Sequence, residues 1–172
     1  MNVERLRRGV AVLAANLPWI APLLAGALCV AATVAALHDG TYAVLARDQG
    51  IFQYVAWSLR HGGRAYRDFH EINGPLPHAW NLLVQVAFGE DPHVFRTVDT
   101  TFVALVYAAA ARTMPSWIGI PTRRGTGAAW ALAGLGVLGA QFVSYGWWHT
   151  NQREGFYAAL VLASLALQAV AH

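Results

Sequence analysis

The chain has 172 residues, 56% hydrophobic and only 12% charged, against about a quarter charged in an ordinary soluble domain. So much apolar surface exceeds what a soluble core of this size needs, and the net charge of +3 is too small to imply a nucleic-acid partner. The class is all-α integral membrane, because a helix satisfies its backbone polar groups within one segment.

In chain order, Arg5, Arg7 and Arg8 precede the apolar stretch Leu17–Leu37, 21 uncharged residues. A hydrocarbon layer of about 30 Å needs about 20 residues of helix, so this stretch is long enough to span. It is longer than the apolar core of a secretory signal, and more apolar segments follow, so it reads as an uncleaved first span. Cys29, the one cysteine, lies inside it; no internal disulfide can form, and packing is its expected role. The spans that follow are expected at 97–114, 127–148 and 155–171. The last has 17 uncharged residues, about 26 Å as a helix, and just reaches across.

The intervening segment, 38–96, holds two shorter helices. Gly50–Arg60 places Ile51, Tyr54, Val55 and Ser58 on one side, as in a helix lying at the interface, and His61-Gly62-Gly63-Arg64 ends it because paired glycines supply a turn. Asn73-Gly74-Pro75 is a turn, and Pro75 opens a second helix where its missing N–H costs nothing. That segment, to Gly89, is too short to cross and carries His78, Asn81 and Gln85; it reads as interfacial or re-entrant.

Charge supports the threading. If Pro75–Gly89 does not cross, Arg5, Arg7, Arg8, Arg112, Arg123 and Arg124 share one side with Glu4 as its single acid, net +5. The other side gathers six arginines and eight acids, among them Asp39, Asp48, Asp68, Glu71, Glu90, Asp91, Asp99 and Glu154, net −2. Were that segment to cross, the Arg112/Arg123/Arg124 side would face outward, against the positive-inside bias. The expectation is therefore four spans, cytoplasmic termini and a long outer loop over 38–96. Trp57, Trp80, Trp147 and Trp148 then fall near the outer boundary, as an aromatic belt.

Asp48 is the most informative acid, since it stands where the chain leaves the membrane. It could cap the following helix, or meet a substrate with its tail in lipid and its head in water. Glu154 lies in the polar island His149–Phe156, where it could pair with Arg153, favour a helix N-terminus, or act on substrate. Asp68 and Glu71 could tie the loop to Arg64 or Arg67. The histidines show no HExxH or paired i,i+4 spacing, which leaves His70, Glu71 and His78 as a weak metal candidate. Gly134-Leu135-Gly136-Val137-Leu138-Gly139 matches GxGxxG, yet no strand precedes it; close helix packing through small residues is the reading. A transporter or channel is disfavoured because the spans hold almost no charge.

Several short stretches, taken in order, resemble the amino-terminal part of lipid-linked sugar transferases of the C superfamily, the dolichyl-phosphate-mannose protein mannosyltransferase and aminoarabinose transferase type. They are Arg47-Asp48-Gln49-Gly50, Gly62-Gly63-Arg64-Ala65-Tyr66-Arg67-Asp68-Phe69, Asn73-Gly74-Pro75-Leu76, Phe88-Gly89, Arg96 and the loop His149–Glu154. The resemblance covers about residues 15–165 and rests on the order and spacing of degenerate motifs. It implies sugar transfer from a polyprenyl-phosphate donor to an extracytoplasmic acceptor at a bacterial inner membrane. Asp48 would be the general base, and Glu154 the second acid, positioning acceptor or a divalent cation. Arg64 and Arg67 would hold the lipid phosphate, with Asp68 and Glu71 ordering the loop beside the substrate. Members of the family continue through many more spans, so the expectation is one module, 1–172, of a larger enzyme fold, with membrane lipid and further membrane helices as partners. The alternative is a non-catalytic, truncated relative that binds lipid or a partner subunit.

Overall fold

The computed structural model describes residues 47–70, 73–120, 126–145 and 152–171, with Leu45 and isolated residues between 4 and 35. Five helices are defined: α1 (Arg47–Arg60), α2 (Pro75–Phe88), α3 (Pro92–Trp117), α4 (Thr126–Tyr145) and α5 (Arg153–Ala171). No strand occurs among the described residues, only an isolated bridge between Ala65 and Phe69.

α1 starts at Arg47, with Asp48 in its first turn and Arg60 in its last, each charge placed favourably for the helix dipole. Gly62, at φ +89°, takes a left-handed conformation that suits glycine, and Gly63 N–H closes the end onto Ser58 O at 2.8 Å. The buried side of α1 differs from the expected one. Gln49, Phe52, Gln53, Val55 and Ala56 face inward, while Tyr54 is 58% exposed. Hydrophobic periodicity misplaced part of the face because Gln53 finds amide partners on α2 and Gln49 accepts from Arg96 on α3, which offsets the cost of their burial.

α2 begins as expected, with Gly74 as cap and Pro75 in the first turn, and ends at Gly89 (φ +96°), whose N–H returns to Gln85 O at 2.9 Å. It lies parallel to α1. Phe52 meets His78, Gln53 meets Asn81, and Arg60 reaches Gln85 O and Glu90, so contacts advance along both helices together. The 61–74 connection therefore runs back along the pair.

α3 spans 26 residues, about 39 Å, and starts earlier than the expected 97. Asp91 accepts from His93 N–H at 2.8 Å and Pro92 fills the first turn, a start signal stronger than the run of apolar residues after it. α3 and α4 are each long and apolar enough to cross a membrane, whereas the apolar part of α5, Glu154–Val170, falls short of that length. The described residues of the 17–37 stretch, among them Ile20, Leu24, Leu28 and Val34, are helical. Gly26 in that stretch packs on α4: a Cβ there would come within 2.5 Å of Leu132 Cβ.

The glycine run of α4 is a packing surface. A Cβ at Gly134 would stand 2.5 Å from Tyr107 O and 2.6 Å from Ala111 Cβ on α3, and Gly136 and Gly139 are buried beside it. Small residues let two backbones approach where no large side chain fits. Replacement of Gly134 by Leu is expected to push α3 and α4 apart and to destabilise the chain by about 1–3 kcal/mol. Thermal unfolding in detergent checks this; Gly127→Ala, whose Cβ meets only the Arg112 side chain, at 3.5 Å or more, should be neutral or stabilising.

Candidate functional site

The polar residues buried in the fold gather at one end. Gln49 and Gln53 come from α1, His78, Asn81 and Gln85 from α2, and Arg96, Asp99 and Thr100 from α3. An unpaired buried amide costs about 1–3 kcal/mol, and the amides of α1 and α2 bond one another. Gln53 Nε2 donates to Asn81 Oδ1 at 2.7 Å, and Asn81 Nδ2 donates back along its own helix to Pro77 O at 2.8 Å. Gln85 Nε2 donates to both Gln53 O (3.0 Å) and Gln53 Oε1 (2.8 Å). Between the helices, Phe52 and His78 meet edge to face with ring centres 5.5 Å apart.

The pair is docked on α3 through charged groups. Arg96 Nη2 donates to Gln49 Oε1 at 3.3 Å, and Trp80 Nε1 donates to Asp99 Oδ1 at 2.8 Å. Trp80 also rests against Phe102 (4.8 Å) and Phe156 of α5 (5.9 Å). It is thus half-buried and braced between α3 and α5. Trp57 does remain on the outside, 42% exposed, stacked near Tyr54. Trp147 and Trp148 lie outside the described residues.

Arg96 and Asp99 correct a premise of the sequence reading. The spans were expected to hold almost no charge, but both residues are only 3% exposed within a helix long enough to span. A span with a buried acid and base one turn apart is not nearly charge-free, and such residues mark function more often than structure.

The two expected catalytic acids are both exposed, each in the first turn of its helix: Asp48 on α1 and Glu154 on α5. Asp48 lies inside the first turn rather than at the cap position. Its neighbour Gln49 bonds Arg96 of α3. The neighbours of Glu154, Gln152 and Gly155, wall a cavity together with Asp99 and Thr100 of α3. The first turn of α1 is thus linked to α3 at Arg96, and the start of α5 lies beside Asp99 and Thr100 one turn further on.

The expected phosphate-holding residues sit in the exposed loop after α1. Asp68 is a loop tie: Arg67 donates to it twice, Nε to Oδ1 at 2.7 Å and Nη2 to Oδ2 at 3.0 Å, and Arg64 N–H donates to Oδ2 at 2.8 Å. The Arg67 guanidinium first, and then the Arg64 amide, hold the Asp68 carboxyl below the usual carboxylate range; the same contact raises Arg67. The Arg67 fork is thus occupied, whereas the Arg64 contact uses only backbone. Tyr66, at φ +63°, closes the loop through its hydroxyl to Asn73 O at 2.9 Å. Glu71 lies outside the described residues. Among the described residues no group of three or more His, Cys, Asp or Glu could hold a metal ion; the His70, Glu71 and His78 candidate lies partly outside them, at Glu71.

No family model, no curated protein and no solved structure matches this chain.

The amide network makes a testable couple. Gln53→Leu or Asn81→Leu alone strands buried partners and should each cost about 1–3 kcal/mol, while the double replacement should cost clearly less than the sum. Unfolding of the four variants, followed by circular dichroism, checks it; additive losses would deny the pairing.

Proposed function

We propose that the chain is a four-span membrane module of a lipid-linked sugar transferase, with Asp48 and Glu154 on its extracytoplasmic face. One observation supports the reading: both acids are solvent-exposed in first turns whose neighbours meet one turn of α3, Gln49 at Arg96 and Gln152 and Gly155 beside Asp99 and Thr100. The arginine distribution favours the same face, since Arg112, Arg123 and Arg124 fall at the opposite end of α3 and beyond it. A bacterial inner membrane suits this orientation.

In this reading an acceptor hydroxyl or amine approaches the anomeric carbon of a polyprenyl-phosphate sugar. Asp48 takes the acceptor proton as the new bond to carbon forms. The carbon–oxygen bond to phosphate breaks on the opposite side, the polyprenyl phosphate leaves with the bonding pair, and configuration inverts. Glu154 orients the acceptor, or holds a divalent cation against the departing phosphate. Arg64 is the better phosphate ligand of the two arginines because Arg67 is already engaged by Asp68. Lipid and further membrane helices are the partners that would complete the donor groove.

The test is transfer of a labelled sugar from a polyprenyl-phosphate donor in membranes containing the full chain. Asp48→Asn should lower the rate by about 10²–10⁴-fold, the usual worth of a positioned base, with binding of the lipid donor retained. Transfer by Asp48→Asn at the parent rate, or donor binding without transfer in the folded parent, would favour a non-catalytic lipid-binding subunit instead.

A further inference from the structure

A cavity of about 30 Å³ lies between α3, α4 and the start of α5. Polar residues line it from all three: Thr100 and Tyr107 on α3, Gln141 on α4, and Gln152 and Gly155 at the start of α5. Asp99 also lines it, but its carboxylate is engaged by Trp80 and by a further interaction. One water needs about 10–15 Å³, so about two fit, and no sugar or lipid head group does.

Three features mark the space as wet. The Thr100 hydroxyl is buried, 2% exposed, and its Oγ1 has no hydrogen-bond partner among the described residues; ordered water is what commonly satisfies such an orphan. Tyr107 O–H donates to Gln141 Oε1 at 3.3 Å, which leaves that oxygen a second lone pair. The first N–H groups of α5 have no acceptor within their own helix, and Gly155, in that first turn, lines the cavity. A hydroxyl, a spare lone pair and an N–H donor supply the polar partners, about two to four, that a buried water needs. An apolar cavity of the same size would stay dry.

We propose that this cavity holds ordered water, about two molecules, bonded to the Thr100 hydroxyl, the Gln141 amide oxygen and the first turn of α5. The water joins α3 and α4 to the start of α5, where Glu154 stands. Neither the cavity nor its water depends on sugar transfer.

The test uses the full chain in detergent and compares the parent with Thr100→Val, similar in shape. Where the hydroxyl bonds water, the replacement removes a contact, and Tm should fall by about 2–4 °C. A hydroxyl with no partner carries a burial cost instead, so an unchanged or raised Tm would overturn the proposal. Nuclear magnetic resonance with labelled leucine methyl groups then looks for the water directly. Leu138 lines the cavity and is 3% exposed, so a cross-peak between its methyls and water reports the interior. The cross-peak should be present in the parent and in Tyr107→Phe, which removes the tyrosine proton as a relay, and weaker in Thr100→Val. Its absence from the folded parent, or its loss in Tyr107→Phe, would overturn the proposal whatever Tm Thr100→Val shows. If Thr100→Val does not fold, the cross-peak alone decides.

Discussion

Buried amides and charges must find partners wherever water is scarce, and this requirement organises the upper end of the molecule. Gln53, Asn81 and Gln85 satisfy one another across α1 and α2, while Arg96 and Asp99 reach Gln49 and Trp80. An apolar contact between two short helices is nondirectional and tolerates sliding. A ladder of side-chain hydrogen bonds does not, because a shift of one turn would strand several groups at about 1–3 kcal/mol each. Buried polar contacts of this kind set register more than they add stability.

That register has a consequence for the exposed acids. Asp48 is not itself buried, but it adjoins Gln49, which is bonded to α3. Glu154 is likewise held by what flanks it, since Phe156 stacks near Trp80 and Gln152 and Gly155 wall the cavity on α3. A carboxylate on the first turn of an anchored helix is positioned far more closely than one on a loop. The Arg64–Phe69 segment is different: it is exposed and tied mainly to itself through Asp68. The acids thus stand on packed helices, whereas the loop residues bond chiefly within their own loop.

Much of this architecture was legible in the residues. Proline and glycine punctuation located α2 almost to the residue, because Gly74, Pro75 and Gly89 act through local backbone preferences. The small-residue run in α4 was read correctly as a packing surface for the same reason: what matters is the absent Cβ. Asp68 as a loop tie followed from its adjacency to Arg67. The buried face of α1 was not legible from hydrophobicity, since two of its inward residues are glutamines. A signal was nevertheless present. Gln49 and Gln53, Asn81 and Gln85, and Arg96, Asp99 and Thr100 recur at helical spacing, and each set makes one polar stripe. In the structure the three stripes are buried together, although a polar stripe alone more often marks an exposed face. Their pairing depends on contacts between residues as far apart as Gln49 and Arg96, which no local pattern encodes.

The central claim is spatial: Asp48 and Glu154 stand at the same end of the helices, on one side of a bilayer. Because Cys29 is the sole cysteine, a Cys29→Ala background permits single-site labelling with a membrane-impermeant maleimide in intact cells. Asp48→Cys and Glu154→Cys should both react from outside without permeabilisation. Reaction of one from outside, and of the other only after the cells are opened, would contradict the account.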